Sequence, residues 1–214
     1  MDAQNRGFSN EGTIQGTYRP LNTIIGMWII QECRRDWIKA GIEMSWDEIV
    51  VAAREAEPLR SIINPDDQRF YAGGNMVEKI KEFCRETNQP VPETVGQIAR
   101  TVYESLALKY RSALEGLEIM KGQRIDSLNI VGGPINNKFL NQLIADSLDR
   151  EVVTGPVEGA AIGNLLTQAM ALGDIRDLDH LREVVRNSEN VETWQPNHTE
   201  AWEVAYNKLL TFLK

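Results

Sequence analysis

The change of hydrophobic period around Gly122 constrains this chain more than any other feature. Ahead of it, residues 93–121 place Val95, Ile98, Val102, Leu106, Tyr110, Leu114 and Leu117 three or four positions apart. That spacing gives one buried face on a long helix, and Gly122 suits the position just past its end. Beyond it, SLNIV at 127–131 is a short apolar run stopped by Gly132 and Gly133, which reads as a buried strand. A helix at 137–148, a strand at 151–154 and a helix at 156–172 follow. Strand–helix–strand of this length predicts a parallel pair joined by a crossover. The chain is therefore α/β, with most helices on the faces of a small sheet.

The rest of the sequence adds helices around that sheet. The first twenty residues, with Gly7, Gly12, Gly16 and Pro20, read as short strands and turns. A helix is expected at 22–40, with Asn22 as N-cap and Gly41 past its end. Ser45-Trp46-Asp47-Glu48 matches a capping box and predicts a helix over 45–56, limited by Pro58. SIINPDDQRFYAGG at 61–74 is irregular, and helices follow at 75–87, 177–188 and 199–213. In the last of these Trp202 and Tyr206 share a stripe with Leu209 or Leu210 and Leu213, which suits core packing.

Composition narrows the function classes. The 214 residues suffice for one core, so a single domain over 1–214 is the expectation, with two small domains the alternative. Lys and Arg number 23 against 31 Asp and Glu, a net charge of −8, which argues against a nucleic-acid partner needing a basic face. No apolar run reaches the ~18 residues of a membrane span. MDAQNRGFSNEG lacks the basic-then-apolar pattern of a signal peptide. Cys33 and Cys84 are too few for a disulfide scaffold or a Cys-rich metal site. The cytoplasm is the expected location.

Three segments carry possible chemistry. In NIVGGPINNKFLNQLIAD, 129–146, a strand runs through Gly132 and Gly133 into a helix start, where free backbone N–H groups point outward. The geometry fits a nucleotide, but glycine loops of this kind are common and the residues alone favour a tight turn without ligand; it is neither a P-loop nor a G-x-G-x-x-G fingerprint. In TGPVEGAAIGN, 154–164, the small residues Gly159, Ala160, Ala161 and Gly163 favour close helix packing over ligand contact. On the expected helix at 22–40, Thr23, Met27 and Gln31 share one stripe, either lining a cleft or facing solvent. His180 and His198 lack ligand spacing, and Asp66-Asp67 after Pro65 reads as a turn rather than a cation site. Spacing alone reveals no complete active site and no metal site.

Several stretches together resemble the FGGY family of carbohydrate kinases. They are NEG at 10–12, IIGMWIIQECRRDW at 24–37, SIINPDDQRF at 61–70, CRETNQPVPE at 84–93, ESLALKY at 104–110, IVGG with NNKFLNQLIAD at 130–146, and TGPVEGAAIGN at 154–164. They run in family order, and INPDD and CRETNQPVPE point to the members that act on L-rhamnulose. The resemblance implies an actin-like, ribonuclease-H-like domain, the C-terminal half of a two-domain kinase that transfers the ATP γ-phosphoryl group, with Mg²⁺, to the sugar 1-hydroxyl. It further implies that the N-terminal domain, its general-base aspartate, and the first strand of this domain lie upstream of Met1. No catalytic residue is then expected in this chain, which alone would be inactive and prone to self-association through an unpaired sheet edge.

Residue by residue, the resemblance assigns ATP contacts to Gln31 and Gly133, with Gly132 beside it. A family asparagine that contacts the sugar falls at Thr23, with Asn22 one residue earlier. Threonine offers a hydroxyl in place of an amide, so L-fuculose is the nearest alternative sugar, and a non-catalytic nucleotide-binding module is the alternative in kind. Pro134 stands where the family often has a third glycine and removes one backbone donor.

Overall fold

The computed structural model describes residues 2–5, 7–13, 16–197 and 199–213. They form two compact units. The first comprises residues 1–125 and 198–214, the second residues 126–197.

The first unit is mainly helical. Helix α1 (Asp2–Asn5) precedes the antiparallel hairpin β1 (Phe8–Gly12) and β2 (Tyr18–Asn22), in which Phe8 pairs with Asn22. Helices α2 (Trp28–Lys39), α3 (Trp46–Glu55), α4 (Met76–Glu86), α5 (Val95–Lys121) and α9 (Glu200–Phe212) build the core. The capping signals act as expected. Ser45 and Glu48 exchange hydrogen bonds at the start of α3, and Thr94 and Gln97 do the same at the start of α5. The turn-rich segment 61–74 is held by side chains, Ser105 Oγ accepting from Ile63 N at 2.9 Å and Gln89 bonding both backbone groups of Ile62 at 2.8 Å.

Helix α5 is the central strut. Of its expected stripe, Ile98, Val102, Leu106 and Leu114 are buried, while Val95, Tyr110 and Leu117 are half-buried. Residues 101–108 are buried all round, so the helix is surrounded rather than one-sided. The burial includes Glu104, 1% exposed. Its carboxylate accepts from Arg100 Nε at 2.7 Å and from Leu59 N at 2.8 Å. Burial pushes the Glu104 carboxyl up to about 7, against the opposing pull of Arg100 and the Leu59 amide. Helix α3 crosses α5 at Gly96, where a Cβ would lie 2.3 Å from the Ala52 carbonyl oxygen. Gly96→Ala is therefore expected to lower stability by about 1–3 kcal/mol through overpacking, read as a reduced midpoint in denaturant unfolding of the full chain.

The expected helix at 22–40 begins later. Asn22 ends β2, residues 23–25 are irregular, and α2 starts at Trp28 behind Met27. Thr23, Ile24 and Ile25 are β-branched and favour extended backbone. Gly26 then turns the chain at φ 61°, which an L-residue rarely adopts. The supposed stripe of Thr23, Met27 and Gln31 consequently does not exist.

The second unit holds a three-stranded sheet in the order β3-β4-β5. Strand β3 (Ser127–Ile130) runs parallel to β4 (Glu151–Thr154), as expected, and β5 (Glu192–Trp194) pairs antiparallel with β4. Helix α6 (Lys138–Leu148) connects the parallel pair, and α7 (Gly159–Leu172) and α8 (Leu178–Ser188) follow β4. Helix α7 starts at Gly159 instead of Pro156, because residues 155–158 form the loop out of β4 with Glu158 as N-cap. No described helix is long and apolar enough to cross a membrane.

Candidate functional site

Because β3 and β4 are parallel, the loops that leave them emerge at one end of the sheet, where α/β folds place their ligands. The two loops are tied to each other. Gly132 N donates to Pro156 O at 3.1 Å, and Gly155 N donates to Ile130 O at 2.7 Å. Gly132 has φ 91°, a conformation that favours glycine. Gly133 opens a short 3-10 turn, Gly133–Asn136, with Pro134 in its first positions, where the missing N–H costs least. Ile135 N closes that turn onto Gly132 O at 3.2 Å, and Asn137 Oδ1 then caps α6 by accepting from Leu140 N at 3.0 Å. A Cβ on Gly133 would meet nothing within 4 Å. The loop thus presents bare backbone to open space.

Beside it lies a cavity of about 240 Å³. Ile135, Asn136 and Lys138 line one side, residues 154–157 another, and Glu189, Asn190 and Glu192 a third. Lys138 Nζ is 2.8 Å from Glu192, so the only cation among the lining residues is already neutralised. Such a site suits the neutral base and ribose of a nucleotide better than its phosphates, which call for cations. The expected packing role of the small residues after β4 holds at Gly159, where a Cβ would sit 3.1 Å from Val131 Cβ, and fails at Gly163, which faces open space.

The other residues singled out by sequence lie in the first unit. Asn22 is half-buried, and its Nδ2 donates to Gly7 O at 3.0 Å, bracing the hairpin end. Thr23 is exposed in the segment that leads to α2. Gln31 is exposed in the first turn of α2. Nearby positions have structural partners: Glu32 accepts from Gly74 N at 3.0 Å, and Asp36 accepts from Val77 N at 3.3 Å, capping α4.

The turn reading of Asp66-Asp67 holds. Asp66 pairs with Lys109 at 2.8 Å, and Asp67 accepts from Arg69 N. His180 is half-buried in α8, its Nδ1 accepting from Arg176 N at 3.2 Å; His198 lies outside the described residues. Among the described residues no three His, Cys, Asp or Glu side chains group to hold a metal ion. Sequence reasoning missed Lys138 and the β5 residue Glu192 as cavity residues, because a three-residue strand carries no periodic signal.

Residues 3–172 match the profile of the FGGY family of carbohydrate kinases, C-terminal domain. The rhamnulokinase of Bacteroides thetaiotaomicron is 42% identical over 93% of this chain and 40% of its own length. That of Bacillus subtilis is 35% identical over 99% of this chain and 43% of its own. A ligand-bound xylulose kinase from Lactobacillus acidophilus, 15% identical, superposes with a TM-score of 0.70 over 96% of this chain and 41% of its own, a likeness of fold. The chain thus spans about two fifths of the length of the curated relatives it matches. It belongs to the FGGY family of carbohydrate kinases and is similar throughout residues 3–172 to their C-terminal domain.

Proposed function

We propose that this chain is the nucleotide-side domain of a cytoplasmic kinase that converts L-rhamnulose and ATP to L-rhamnulose 1-phosphate and ADP. The observation that carries this reading is the open backbone face at Gly133, at the end of the parallel pair, beside a cavity that lacks surplus positive charge. The rhamnulokinase names of the two relatives support the choice of sugar. In this reading Gly132 and Gly133 abut the adenosine part of ATP, Gln31 adds a polar contact, and Thr23 with Asn22 meets the sugar. The sugar 1-hydroxyl oxygen bonds to the γ-phosphorus while the bond to the β–γ bridging oxygen breaks and ADP leaves. The hydroxyl proton passes to an aspartate of an N-terminal domain upstream of Met1. Positioning and charge neutralisation dominate such transfers, and the cations for the phosphates come from that upstream domain. Mg²⁺ accompanies ATP, and no residue of this chain is assigned to it.

The complete protein incubated with ATP, Mg²⁺ and L-rhamnulose is expected to yield a new phosphomonoester signal in phosphorus NMR. Turnover of L-fuculose instead would select the alternative that the Thr23 hydroxyl favours. Loss of both signals, with ADP still bound in calorimetry, would leave a binding module. Expressed alone, the chain is expected to self-associate through β3, an end strand whose outer ladder edge is unpaired among the described residues; a monomeric sedimentation profile at high concentration would count against that.

A further inference from the structure

Asn141 lies on α6, one turn beyond its N-cap, and is 1% exposed. Its Nδ2 donates to Ile135 O at 2.7 Å. Ile135 stands inside the 3-10 turn that Gly133 opens, so this bond fixes the turn from its buried side. The amide orientation follows from the acceptor, since a carbonyl can be met only by the NH₂ end. The opposite end, Oδ1, is buried and accepts no hydrogen bond from the described residues. Buried polar groups are ordinarily satisfied, and an orphaned one calls for an explanation. A leucine of similar shape would remove the orphan at once and fill the same space. The asparagine gains only one thing that leucine lacks, a donor aimed at the glycine turn.

We infer that Asn141 is a positioning residue for nucleotide binding, holding the turn so that the Gly133 backbone faces the ligand. The inference rests on the nucleotide reading above. Asn141 touches no ligand itself and acts through the Ile135 carbonyl. Within the turn, Ile135 N is committed to Gly132 O and Asn137 N to Pro134 O.

The test uses the complete protein. Asn141→Leu is expected to raise KM for ATP about tenfold, with kcat and KM for the sugar changed less than twofold, and with thermal stability kept or raised. A purely structural asparagine would move stability and both KM values together. Asn141→Asp has the same shape but an acceptor where the donor stood, and is expected to raise KM for ATP at least as much. If either variant fails to fold, backbone amide exchange in the wild-type protein supplies the readout. Saturating ADP is then expected to slow exchange at Ile135 and Asn137 about tenfold, with β4 amides unchanged. An unchanged KM for ATP in Asn141→Leu, or unchanged exchange at the turn, overturns the inference. Gly133→Val separates the two readings. If it weakens ATP while Asn141→Leu does not, only the inference falls. If neither weakens ATP, the nucleotide reading falls and the inference with it.

Discussion

Gly133→Val in the complete protein is expected to raise the dissociation constant for ATP at least tenfold, about 1.4 kcal/mol, with folding unaffected. The physics of the position makes this a clean experiment. Gly133 is not among the glycines with positive φ, and a Cβ there would meet nothing within 4 Å. A valine is therefore accommodated by the protein and obstructs only what comes from outside. Gly132 supplies the contrasting control. Its φ of 91° is strained for any L-residue, so Gly132→Val is expected to cost roughly 1–2 kcal/mol of stability and to disturb the loop itself. Calorimetric titration with ADP beside a thermal melt distinguishes the two. Unchanged nucleotide affinity in a folded Gly133→Val protein would sink the proposed site.

Glu104→Ala is expected to cost about 3–5 kcal/mol of stability, the largest loss of any single change considered. The carboxylate stands at the meeting point of three elements. It receives Arg100, whose guanidinium also reaches the carbonyls of Ala53, Arg54 and Ala56 at the end of α3. It also receives the amide of Leu59, a residue with φ 53°, strained backbone that persists only when its surroundings hold it. Alanine would leave a half-buried guanidinium short of its anion and release that turn. The pH dependence follows from the sign of the shift. Burial raises the folded-state carboxyl to about 7, above the ordinary 4.5, so the folded chain holds the proton more tightly. This group's contribution is then fully present below pH 4.5 and declines as pH rises toward 7. Glu104→Gln keeps the acceptor for Leu59 N and removes the titration. Its stability is expected to be flatter across that window, measured by urea unfolding at a series of pH values.

Much of this architecture was readable from local chemistry. Ser45 and Glu48 announced α3, Gly122 ended α5, and SLNIV with EVVT announced the parallel pair, because each signal lies within a few residues of the structure it forms. Gly132 and Gly133 stood out for the same reason. What stayed hidden depends on distant partners. Glu104 and Arg100 look in sequence like a solvated i,i+4 pair, and only the packing of α3 against α5 makes them interior. Thr23 and Gln31 matched a helical spacing that the β-branched run and Gly26 override. Strand β5 exists because β4 offers it a ladder, and its own three residues carry too little pattern to show it.

The reciprocal bonds between Gly132 and Pro156 and between Gly155 and Ile130 have an evolutionary corollary. Surface loops usually absorb insertions and deletions freely. Here neither loop can change length without pulling a backbone partner out of register in the other. Length variation among relatives should therefore be scarce in both segments at once, and concentrated elsewhere along the chain. A domain transplanted between kinases would have to carry the two loops as one inherited piece.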